Sequence, residues 1–134
     1  MKKWVQNLLI AFILLLLFFL PVKNVFTSGL KISVENRTGQ EISGLEITYS
    51  YNEENIPIPS LKKNEQHVIT IVPDEDFGES IMQLVYTDQN GKKRQEMIFG
   101  YFEKGYRGSA KITAKSADSQ GVITFKVEEK LYSF

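Results

Sequence analysis

The chain has 134 residues, with sixteen basic and sixteen acidic side chains, one histidine and no cysteine. That balance argues against a nucleic-acid binder, which needs a clustered basic footprint. The absence of cysteine removes thiol catalysis, cysteine-ligated zinc and a lipoprotein anchor.

Residues Leu8 to Leu20 (LLIAFILLLLFFL) form an unbroken apolar run behind the basic start Met1-Lys2-Lys3. Its thirteen residues fall short of the roughly 18–20 that a helix needs to cross a bilayer core of about 30 Å. Extension from Trp4 to Val22 gives nineteen, which is enough, with Trp4 as an interfacial anchor and Leu8, Phe12, Leu16 and Leu20 inside the lipid. The rival is a cleaved signal peptide, whose apolar region runs about 7–15 residues. No A-x-A-like site follows, since Val25-Phe26-Thr27 carries a bulky centre and Thr27-Ser28-Gly29 lies far from the apolar core. The expectation is therefore an uncleaved single-pass anchor over residues 1–29, with secretion as the alternative. Lys2 and Lys3 keep the N-terminus cytoplasmic and put the remainder outside the cell membrane.

Residues 30–134 suit one domain with one core. They hold thirteen basic and all sixteen acidic residues, a net charge of −3. That excess speaks against electrostatic docking onto anionic lipid. An exported domain without disulfides must be held by packing alone.

Leu30 to Glu35 alternates apolar and polar, the mark of a half-buried strand. Asn36-Arg37-Thr38-Gly39 is a turn that also matches an N-x-S/T sequon. Leu45, Ile47, Tyr49 and Tyr51 alternate on one face of a second strand, and Ile56-Pro57-Ile58-Pro59 is an edge strand or extended segment. His67 to Val72 and Ser80 to Thr87 are β-branched or alternating runs separated by an acidic loop. Asp88-Gln89-Asn90-Gly91 is the strongest hairpin signal, returning through Lys92 to Gly100. Ser109 to Lys115 places Ala110, Ile112 and Ala114 inward, and Val122 to Glu128 aligns Ile123, Phe125 and Val127. Seven to eight short strands without an amphipathic helix predict an all-β fold, an antiparallel immunoglobulin-like β-sandwich, with a small barrel as runner-up.

Chemistry is sparse. His67 lies within a strand, away from any G-x-S-x-G elbow, and no cofactor fingerprint or zinc spacing is present, so a non-catalytic protein without cofactors is expected. Asp74, Asp76 and Glu79 echo part of a calcium loop, but Gly78 occupies the fifth ligand position and Val85 the twelfth. A solvated acidic loop is the default. Tyr101, Phe102, Tyr106 and Arg107 form the leading binding candidate, because aromatics and arginine in a glycine-punctuated connection supply large contact area at small entropic cost. The competing reading makes these rings the plug of one sandwich end. The expected function is a small membrane-anchored extracytoplasmic accessory protein that holds a protein or cell-envelope partner. The alternative is a secreted or surface immunity or inhibitor protein that neutralises a toxin or hydrolase.

Overall fold

Eight strands stack as two four-stranded sheets with the apolar core between them. The computed structural model describes Lys3, residues 29–73 and residues 77–133. In chain order the strands are β1 (Leu30–Asn36), β2 (Glu46–Tyr49), β3 (Ile56–Pro57), β4 (Gln66–Ile71), β5 (Ser80–Thr87), β6 (Lys93–Phe102), β7 (Arg107–Ala117) and β8 (Ile123–Tyr132). One sheet has the order β4-β1-β7-β8 and the other β3-β2-β5-β6. The sandwich expected from the alternation is thus present, and the Ile56 region is a two-residue edge strand. Its prolines explain the brevity, because they cannot donate to a ladder.

One pairing departs from an all-antiparallel arrangement. β1 runs parallel to β7, from Leu30↔Gly108 to Asn36↔Ala114, while it is antiparallel to β4. The cause is topological. Strands that are far apart in sequence are not joined by a hairpin, so nothing forces them to run in opposite directions. Between β1 and β7 the chain visits the other sheet twice, through β2–β3 and through β5–β6 with β4 between them, and it re-enters at β7 pointing the same way as β1.

β1 is the interior strand on which the first sheet closes. Leu30, Ile32 and Val34 are fully buried, and each such side chain contributes about 1.5–3 kcal/mol relative to an exposed one. Opposite them lie Ile47, Met82, Leu84, Ile98 and Phe99, all essentially inaccessible. The aligned residues Ala110, Ile112 and Ala114 are buried as the alternation requires, whereas Ile123, Phe125 and Val127 are half-buried because β8 is an edge strand. Gly108 has a packing role that its place in a glycine-rich stretch concealed. A Cβ there would sit 2.3 Å from the Lys130 carbonyl oxygen, so only glycine lets β8 approach.

Polar groups knit the end away from the chain entry. Asp88-Gln89-Asn90-Gly91 and Asp118-Ser119-Gln120-Gly121 build the same turn twice. In each, the aspartate carboxylate Oδ1 accepts two backbone N–H bonds, and the glycine takes a positive φ (77° at Gly91, 74° at Gly121). Asn90 itself does not have positive φ, so the hairpin is a turn closed by a left-handed glycine rather than the mirror-image turn that Asn-Gly favours. The two tips meet through Gln89 N–H to Gln120 O (3.0 Å) and Asn90 Nδ2 to Gln120 Oε1 (2.8 Å). Tyr86 adds a second tie between sheets, its hydroxyl accepting from Ile123 N–H at 2.9 Å. Asn36 is fully buried, donating to the Gln40 and Leu61 carbonyls and accepting from Thr38, so its amide is committed inside the sequon.

Ile47→Ala should cost about 2–5 kcal/mol in urea unfolding of the full-length chain in detergent, and Phe125→Ala distinctly less. Equal losses would contradict the edge position of β8. Asp88 gives a pH test. Burial pushes its carboxyl up, but the Lys92 amide, the Arg94 guanidinium and the Asn90 amide outweigh it and hold the group below its ordinary 3.8. A depressed folded value means stabilisation that is present above the ordinary value and lost as pH falls through the folded one. Asp88→Asn should therefore lower the thermal midpoint at pH 7 and flatten its decline below about pH 4. An unchanged acid profile would show that the Asp88 carboxylate is not what stabilises this end.

Candidate functional site

The sandwich has two unlike ends. At one lie the polar hairpin tips. At the other lie the start of β1, the ends of β4 and β8, the start of β7, the start of β5 and the end of β6, as the pairs Leu30↔Ile71, Leu30↔Gly108, Gly108↔Leu131 and Ser80↔Phe102 require. Tyr101, Phe102, Tyr106 and Arg107 all sit at this second end, across the short β6–β7 connection.

They do not share one environment. Phe102 is fully buried, so its assignment as a contact residue is corrected: it is a core ring. The reason is two register shifts between β5 and β6, at Ser80/Met82 and Met82/Gln83, which give β6 extra residues. Such bulges reset the inward–outward parity. Ile98 and Phe99 are consequently buried in succession, Gly100 and Tyr101 are exposed in succession, and Phe102 returns inward. Phe102 meets Phe77 (ring centroids 5.6 Å), Tyr49 (5.9 Å) and Phe99 (6.4 Å), all tilted or edge-on. Phe77 in turn carries Tyr51 stacked flat on it at 5.8 Å. A ladder of rings thus leads from the core to the surface.

Tyr101 is 45% exposed and packs edge-on against Tyr106 at 6.1 Å. Its hydroxyl donates to Glu103 Oε1. That bond to a carboxylate, together with partial burial and nearby negative charge, pushes the phenol up to about 12. The ring therefore stays neutral across the physiological range and offers area and a dipole rather than a base. Arg107 is half-buried at the first position of β7, in register with Tyr132 of β8.

Two further rings belong to this end and escaped the sequence reading. Alternation puts Tyr51 on one face with Leu45, Ile47 and Tyr49, but β2 stops at Tyr49 and Tyr51 turns out with φ of 69°, 63% exposed. Tyr132, 61% exposed, lies near the C-terminus past the last alternating residues. Val72 and Ile81 add exposed aliphatic surface, and Ser50, Glu79, Ile81, Gly100 and Tyr101 border a shallow depression of about 250 Å³.

Glu79 is exposed, while Asp74 and Asp76 lie outside the described residues, as do Trp4, Leu8, Phe12, Leu16 and Leu20. Among the described residues no cluster of three or more histidine or acidic side chains is arranged to hold a metal, and no helix is long and apolar enough to cross a membrane. His67 is half-buried on β4. A larger open groove of about 510 Å³ runs over the outer face of the second sheet, past Glu46, Thr48, Asn55, Val85, Lys93 and Gln95.

No family model matches the chain, and no curated protein sequence is similar to it. A solved structure, the NMR structure of a protein from Eubacterium rectale, is similar over 78% of this chain and 92% of that one, at 13% identity and a TM-score of 0.47.

The division between Tyr101 and Phe102 is directly measurable. Phe102→Ala should cost about 3–5 kcal/mol, whereas Tyr101→Ala should leave the thermal midpoint nearly unchanged. Large losses for both would make Tyr101 part of the core. Glu103→Gln should bring the Tyr101 phenol back toward 10.0 in a phenolate absorbance titration, and no movement would remove Glu103 as the cause.

Proposed function

We propose that the chain is a small, non-catalytic accessory protein held in the cell membrane by residues 1–29, with its N-terminus cytoplasmic. Residues 30–134 then form an immunoglobulin-like sandwich outside the membrane that presents its chain-entry end to a protein or cell-envelope ligand. The supporting observation is a coincidence of position. The domain begins at Leu30, on the same end that gathers Tyr101, Tyr106 and Arg107, so a ligand near the membrane meets these side chains first. Tyrosine pairs of this kind provide broad contact at low entropic cost and recur in binding surfaces. The immunoglobulin-like architecture is supported by the alternation of hairpins within sheets (β2–β3, β5–β6, β7–β8) with crossings between them.

The test is affinity capture of the full-length tagged chain from gently crosslinked native membranes, with its intact mass read in the same run. The expected result is a mass that includes residues 1–29 and an enriched membrane or envelope partner, lost on Tyr101→Ala while the thermal midpoint holds. A chain starting near Leu30, caught with a toxin or hydrolase, would overturn this reading in favour of a diffusible inhibitor.

A further inference from the structure

The exposed apolar side chains are not scattered over the domain. Among the described residues seven large ones stand out, of which Tyr51, Val72, Ile81, Tyr101 and Tyr132 lie at the chain-entry end and Val68 and Met97 elsewhere. The opposite end presents Gln89, Asn90, Ser119 and Gln120. Scattered exposed apolar residues need no explanation, but a set confined to one end does.

Resting on the proposed anchor, we infer that the cell-envelope ligand this end meets is the membrane surface itself, with the aromatic rim seated in the headgroup layer of a zwitterionic bilayer. Tether length supports this occupant. Only eight residues separate Leu20 from Gly29, and a fully extended chain covers at most about 3.3–3.6 Å per residue, so the entry end stays within about 30 Å of the apolar run. A Cβ added at Gly29 would meet the Ile71 carbonyl oxygen and the Val72 side chain, so the described chain enters β1 beside the exposed Val72. β7 has eleven residues, and at about 3.3 Å each it sets the hairpin tips some 35 Å farther away. The composition also fits. Tyrosine is enriched at membrane–water interfaces because its ring is apolar and its hydroxyl wet. Lys104 and Arg107 offset Glu79 and Glu103 at this end, so it is the net charge of −3 over residues 30–134 that disfavours an anionic surface and makes the lipid zwitterionic rather than acidic.

The cysteine-free chain permits single-site probes. A fluorophore is placed on Gly100→Cys, where an added side chain meets open space beside Tyr101, or on Ser119→Cys at the far tip. Each full-length variant is reconstituted in phosphatidylcholine vesicles carrying a nitroxide headgroup lipid. The expected result is quenching several-fold stronger at position 100 than at 119, reduced toward the value at 119 by Tyr51→Ala with Tyr132→Ala, and weakened as phosphatidylglycerol replaces phosphatidylcholine. Failure of the protein to float with the vesicles would overturn the anchor and the docking together. Flotation with no selective quenching, or quenching that ignores the tyrosine substitutions, would overturn the docking alone. Selective quenching seen only in native-membrane vesicles would overturn it in favour of a protein contact.

Discussion

Everything in the fold depends on how β1 is held. Its backbone is bonded on one side by β4 and on the other by β7, and its alternate side chains Leu30, Ile32 and Val34 reach the centre of the core. The parallel pairing with β7 joins the first strand to the penultimate one, so the first sheet closes only after the chain has crossed to the second sheet and returned twice. Contacts this distant in sequence must overcome a large loop-closure entropy before they stabilise anything. The reward is mechanical as well as energetic. Any segment attached ahead of Leu30 hangs from an interior strand, bonded on both edges, rather than from a fraying edge.

That arrangement gives the two ends of the sandwich different materials. Where the hairpin tips meet, order comes from hydrogen bonds to aspartate and backbone. The Asp88 side chain is completely inaccessible and is satisfied by two amides and the Arg94 guanidinium, 2.9 Å away. At the entry end, order comes from rings. Phe99, Phe102, Phe77 and Tyr51 form a continuous path from core to surface, so the exposed Tyr51 rests on a ring that is itself buried. A surface aromatic supported in this way loses little freedom on binding, because packing has already fixed much of its position. The polar end has no comparable apolar surface to offer.

Much of this was legible in the sequence. Alternation located the strands because one face of each is dry, and the Asp88-Gln89-Asn90-Gly91 turn located the β5–β6 hairpin. What alternation does not carry is long-range partnership, so the parallel β1–β7 pair was hidden. It also assumes an unbroken period of two. The register shifts in β6 break that period, which is why Phe102 was grouped with Tyr101 although one is core and the other surface. Tyr51 failed for a related reason: the strand ended two residues before the pattern did. The close approach at Gly108 was hidden because a sequence reports a missing side chain without reporting what occupies the vacated space, here the Lys130 carbonyl.

The absence of disulfides sharpens the role of the buried polar groups. A cross-linked domain tolerates poor local packing because its unfolded state is constrained. This one has no such constraint, and its buried polar side chains are correspondingly well satisfied: none among the described residues is left without a partner. Glu35 illustrates the economy of the arrangement. Its carboxylate stands on the outer face of the first sheet between Arg37 at 2.5 Å and Lys111 at 3.5 Å, and the Arg37 hydrogen bond leads in holding it below its ordinary 4.5 despite burial. Lys111 lies on β7 and Glu35 on β1, so the ion pair spans the same parallel seam that the core residues close from the other side. Packing and charge act on one joint from opposite faces of the sheet, and that joint is the one from which the chain's N-terminal segment departs.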